Sequence, residues 1–96
     1  MYYTRCVSAL QMTNDDRAAS IVLANALEKS GMSKAELTRR ANAQGLKITL
    51  RTVNYYLDGE RTMTFGAFRT LHTILGLSRE EAAREVGRIV ATLDDA

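Results

Sequence analysis

The chain contains no proline and no tryptophan, a single cysteine, a single histidine, and only four tyrosines and two phenylalanines. Without proline, no position is barred from a helix interior by a missing N–H or a clashing ring, and the abundant alanine and leucine lean the composition towards helix. The lone Cys6 excludes an internal disulfide and fits a reducing, cytoplasmic setting; no CxxC or neighbouring His suggests catalysis. No apolar run approaches the roughly 18 residues that span a bilayer, and the opening MYYTRCVSALQM is too polar for a signal peptide, so no membrane partner is expected. A glycine-rich phosphate loop, a metal-ligand cluster and a nucleophile–base set are all missing. No enzyme activity, cofactor or metal is therefore expected. His72, with no partner at ligand spacing, reads as a surface or core-edge residue.

What remains suits one small domain. The 96 residues are 46% hydrophobic and 25% charged, values of a globular chain with one modest core. The net charge of +2 conceals an uneven distribution. Lys34, Arg39, Arg40, Lys47, Arg51 and Arg61 face only Glu36, Asp58 and Glu60 over residues 33–61. Residues 78–96 set three arginines against five carboxylates. A basic centre beside an acidic end suggests a division of labour, although a merely solvated face has the same composition.

Start and stop signals divide the chain into five helices. The first begins near Thr13 or Asn14, where Asp15 and Asp16 favour the positive end of the dipole; Ile21, Ala24 and Leu27, flanked by Leu23, form its apolar face up to Gly31. Ser33 and Glu36 form a capping box for the second, with Leu37 and Ala41 inward and Gly45 as stop. Thr49 caps a third helix, 49–58, through Val53, Tyr56 and Leu57 to Gly59. Thr64 caps the fourth, with Phe68, Leu71, Ile74 and Leu75 on its face and Gly76 at its end. Ser78 and Glu81 make a further capping box for a C-terminal helix, 78–93, through Ala82, Val86, Ile89, Val90 and Leu93. These signals predict an all-α, compact five-helix bundle over residues 13–96, preceded by an N-terminal arm or short strand over 1–12.

The middle of the chain resembles the helix-turn-helix family of Cro and lambda-type repressors. The resemblance covers residues 23–78, somewhat over half the chain. It rests on Gly31 followed by Ser33, Glu36 and Leu37, on Ile48, Thr49, Thr52, Val53, Tyr56, Leu57, Gly59 and Arg61, and on Phe68 through Leu71, Leu75, Gly76, Leu77 and Ser78. Two departures stand out. Eight residues separate Leu37 from Gly45 where the family usually has about five, so either the second helix runs further or the turn is looped; and Met63 stands where the family often has proline. The resemblance implies a helix-turn-helix that reads double-stranded DNA with helix 49–58 in the major groove. It implies a transcriptional regulator, a repressor of the kind phages use to decide between lysis and lysogeny.

With Val53, Tyr56 and Leu57 inward, helical geometry turns Arg51, Asn54 and Tyr55 outward. Leu50 joins them only through its first-turn place, which resembles a base-reading position of the family. In a groove Arg51 would pair bidentately with guanine, Asn54 would pair with adenine or reach a phosphate, and Leu50 would cover a thymine methyl, whereas the Tyr55 hydroxyl would reach a phosphate. Ser33, Lys34, Lys47, Thr49, Arg61, Thr62 and Thr64 would hold the phosphate backbone. The residues alone leave open a surface salt bridge for Arg51, core-edge packing for Leu50, half-buried packing for Tyr55 and above all Tyr56, and plain solvation for Asn54, Arg39 and Arg40.

One module of this size covers little DNA, so a homodimer on a pseudo-palindromic operator is expected, with Val86, Ile89, Val90 and Leu93 as its seam and the N-terminal arm as the other candidate. Two rival readings remain. One is the DNA-binding antitoxin of a toxin–antitoxin pair, against which the short terminal segments count. The other is a protein-interaction module of the same fold, gripping its partner through Tyr55 and Tyr56.

Overall fold

The computed structural model describes residues 12–95; the expected arm or strand at 1–12 lies outside them apart from Met12. Five helices follow in order: α1 (Asn14–Ser30), α2 (Lys34–Ala43), α3 (Leu50–Leu57), α4 (Phe65–Ile74) and α5 (Arg79–Asp94). Among the described residues there is no strand, and no helix is long and apolar enough to cross a membrane. Over the described residues the chain is an all-α five-helix bundle.

Each helix starts at a hydroxyl. Thr13, Ser33, Thr49, Thr64 and Ser78 lie in extended conformation, and each side chain accepts a hydrogen bond from the backbone N–H three residues on. At α5 the Glu81 carboxylate also accepts from the Ser78 backbone N–H, closing the box expected there. A second box, at α1, pairs Thr13 with Asp16. At α2 only half of the expected box forms. Ser33 accepts from the Glu36 N–H, but the Glu36 carboxylate turns along the helix to Arg39 and Arg40, whose charges outbid a neutral backbone donor. Gly31 and Gly59 end α1 and α3 at φ 73° and 74°, a left-handed turn that a Cβ would strain.

The core has two parts, and α1 stands between them. Leu23 and Leu27 pack with Leu37 and Ala41 of α2, Val53 and Leu57 of α3 and Leu71 of α4; Tyr56, Phe68, Ile74 and Leu75 close its edges. On the other flank Ala18 and Val22 meet Ile89 of α5, with Leu77, Val86, Val90 and Leu93 around them. This double burial corrects the face expected for α1. Val22, Leu23, Ala26 and Leu27 are buried, whereas Ile21 is 38% exposed and Ala24 half-buried. A helix packed on two flanks buries a broad band, and Ile21 falls at its margin.

His72 is a second correction. It is buried, not at the surface: its ring stands edge-on to Phe68 with centroids 5.0 Å apart, and Nδ1 lies 3.0 Å from the Leu77 carbonyl oxygen. That carbonyl sits just beyond the end of α4, where no helical N–H reaches it. Ser20 Oγ is buried with no hydrogen-bond partner among the described residues, on the same flank as Leu23 and Leu27.

Candidate nucleic-acid interface

The connection between α2 and α3 decides how α3 is presented. α2 runs ten residues to Ala43, and residues 44–49 then loop to α3. Both possibilities raised by the long spacing are thus realised together. Asn42, in the last turn of α2, staples the loop. Its Nδ2 donates to the carbonyls of Thr38 and Ile48, each at 2.8 Å, and its Oδ1 accepts from the Ile48 N–H at 3.4 Å. Leu46 and Ile48 pack onto the main core beneath. Nothing in the sequence marks Asn42 for this role, because an Asn near a helix end reads as an ordinary solvated residue. Only the fold brings Ile48 to it.

α3 is held from behind by Val53, fully buried, and by Leu57 and Tyr56. At its start the Thr49 hydroxyl accepts from the Thr52 N–H and donates to Thr52 Oγ1 at 3.1 Å. The Thr49 and Thr52 hydroxyls thus share one hydrogen bond beside the cap, leaving the other hydroxyl hydrogen of the pair free to donate outward. Ser33 and Thr64 differ, since each hydroxyl only accepts in its cap and keeps its hydrogen.

The outer side of the first turn carries Leu50, 44% exposed, and Arg51, exposed and without a carboxylate within ion-pair distance among the described residues. Core-edge packing for Leu50 and a salt bridge for Arg51 are thereby set aside. Lys47 and Thr49 immediately precede this turn in the chain. Asn54 and Tyr55 are half-buried. Tyr55 lies beneath Arg61, whose guanidinium carbon is 4.7 Å from the ring centroid, a cation–π contact worth ~0.5–1 kcal/mol at an exposed site. Two residues assigned separate tasks thus form one unit at the far end of α3, and Thr62 continues from it, exposed.

Ser33 and Lys34 share a shallow recess with Leu57 and Asp58, beside the C-terminal end of α3. The expected phosphate contacts therefore split into two groups, one at each end of a helix about 12 Å long. Arg39 and Arg40 do not join them. Both pair with Glu36, at 3.0 Å and 2.7 Å from their Nε atoms, and these guanidinium contacts hold the Glu36 carboxyl down at about 2.

The expected dimer residues occupy mixed positions. Ile89 is buried against Ala18 and Val22, and Leu93 packs on the same cluster. Val86 and Val90 are half-buried, packing on the same cluster and also bordering a groove between α4 and α5. Comparison with protein-family models, curated proteins and solved structures gave no match.

Proposed function

We propose that the chain is a sequence-specific double-stranded DNA-binding transcriptional regulator that reads its operator with α3 as half of a helix-turn-helix. The observation that carries this reading is the outer face of the first turn of α3. There an exposed leucine and an arginine with no carboxylate partner among the described residues stand on a helix anchored from behind by Val53 and Leu57. An arginine so placed offers the planar, bidentate donor pair that guanine accepts, and a leucine beside it suits a thymine methyl. Asn54 is the next reader along the helix. Lys47, Lys34, Arg61 and the hydroxyls of Ser33, Thr62 and Thr64 supply backbone contacts on either side. The Arg61–Tyr55 stack fixes the arginine in place, so Tyr55 acts as its platform as much as a DNA contact. Two copies act together on a pseudo-palindrome, and repression follows where the operator overlaps a promoter.

The test is selection from random duplexes, repeated with Arg51→Ala. Enrichment of one two-fold-symmetric sequence is expected, with preference at one base of each half-site relaxed in the variant by roughly 1–3 kcal/mol, the value of one bidentate contact. Affinity should also fall steeply with salt as counterions are released. Binding that ignores both salt and Arg51→Ala would instead favour a protein partner for the same face.

A further inference from the structure

A groove of about 590 Å³ lies between α4 and α5, with the start of α1 along one end. Its α5 wall, from Ala82 through Val86 and Gly87 to Val90, is uncharged and about 12 Å long. Phe65 of α4 borders it and is 74% exposed, the most exposed large apolar side chain among the described residues. Gly87 stands in the middle of a sixteen-residue helix, where glycine is the least favourable residue short of proline. Among the described residues nothing lies within 4 Å of a Cβ built there. A bare backbone in an apolar wall suits the close approach of another helix.

The sequence holds a helical stripe of matching length next to the groove. Tyr3, Cys6, Val7 and Leu10 fall at i, i+3, i+4 and i+7, rising about 11 Å, and Thr4, Arg5 and Ser8 take the opposite side. A strand would instead put Arg5 on one face with Tyr3 and Val7. A helix this short is marginal alone and needs a surface to pack on. Connectivity supplies that surface. Asn14 Nδ2 donates to Asp94 Oδ1 at 2.6 Å, and Asp15 and Asp16 line the groove, so the chain enters α1 at the Val90 end. Three further recesses bordered by α1 lie against its second half, from Val22 onward.

Charge fits the same occupant. The groove is lined by both signs, Asp15 and Asp16 against Arg69 and Arg79, with the buried His72 among them. Asp16 is engaged in the Thr13 cap, and Asp15, Arg69 and Arg79 are exposed. Each can stay in water while a stripe without charge covers the apolar wall, whereas a charged partner of either sign would meet its like.

We propose that residues 2–10, which lie outside the described ones, form a helix that packs into this groove of their own chain. Leu10 points towards Val90 and Tyr3 towards Ala82, and the stripe covers Phe65 and crosses the bare backbone of Gly87. The segment is then a sixth element of the domain and is withdrawn from the dimer seam open to it in the sequence. This goes beyond the reading of α3 and needs no DNA.

Cys6, the chain's one thiol, lies on the stripe and reports on it. The experiment is the rate of Cys6 labelling by a thiol reagent in the folded full chain and in urea. Labelling should be at least about tenfold slower in the folded protein, because the thiol reacts only when the segment opens. Val7→Asp and Gly87→Leu should each remove most of that protection. Gly87→Leu places a good helix former in open space and Val7 lies outside the described core, so α1 to α5 should fold in both, checked by amide chemical shifts. Arg5→Glu, on the outer side, should change nothing. Nuclear Overhauser contacts should join Leu10 to Val90 within one chain. Cys6 labelled as fast folded as in urea overturns the proposal, as does protection indifferent to Gly87→Leu. Protection lost equally with Arg5→Glu overturns the helical register. Contacts seen only between differently labelled chains overturn it too, by showing a segment exchanged between copies.

Discussion

Replacing Asn42 separates a residue that merely solvates a helix end from one that sets the path into α3. Its amide nitrogen donates two 2.8 Å hydrogen bonds, while its oxygen accepts one long bond of 3.4 Å from Ile48. A net hydrogen bond is worth ~0.5–1.5 kcal/mol. Because Asn42 is exposed and water replaces part of what is lost, the three together should contribute about 1 kcal/mol. Asn42→Ala should therefore lower the thermal midpoint by roughly 4–8 °C, the shift such a loss produces in a domain of this size. Asn42→Asp is the sharper variant. It keeps the weak acceptor and replaces the donor with a carboxylate oxygen facing the carbonyls of Thr38 and Ile48. It should be at least as damaging as alanine at neutral pH and recover partly in acid, where the protonated carboxyl donates again. Urea unfolding of the three proteins, with amide exchange at Ile48, measures this directly. An Asn42→Asp variant within about 0.5 kcal/mol of wild type at pH 7, the scatter of ordinary surface substitutions, would refute the staple.

Three further outcomes are expected. Thr49→Ala should cost about 1 kcal/mol in chemical denaturation through loss of the α3 cap, and Thr49→Ser should recover most of it. Ser20→Ala should stabilise the fold by roughly 1 kcal/mol, since it removes a buried hydroxyl without a partner among the described residues; a loss of that size would show that the hydroxyl is bonded by residues outside them. Glu36, held at about 2 by Arg39 and Arg40 against an ordinary value of 4.5, has a depressed folded-state pKa. Its contribution is thus complete above pH 4.5 and lost as the pH falls towards 2, so the stability difference between wild type and Glu36→Gln should shrink across that window and vanish near its lower end.

The five helices were legible because their signals are local. A hydroxyl at the cap, an acidic first turn and a glycine at the close act within four or five residues, and the helix starts at Thr13, Ser33, Thr49, Thr64 and Ser78 follow from them. Helical periodicity likewise placed Leu37, Ala41, Val53 and Leu71 inside, because each of these helices has one core to face. It misplaced Ile21, because α1 faces two.

Everything that depends on residues distant in the chain was left to the tertiary structure. The stapling of Ile48 by Asn42, the carbonyl of Leu77 that draws His72 inward and the stacking of Arg61 on Tyr55 arise from chain paths that spacing does not encode. The choice of Glu36 for arginines over its own cap is a competition between two reachable donors, which a motif alone cannot score. On α5 helical spacing alone reveals an apolar stripe. Packing against α1 buries Ile89 at the centre of that stripe and leaves Val86 and Val90 at its margin, where with Gly87 they also border a groove towards α4, because α1 covers only part of the helix.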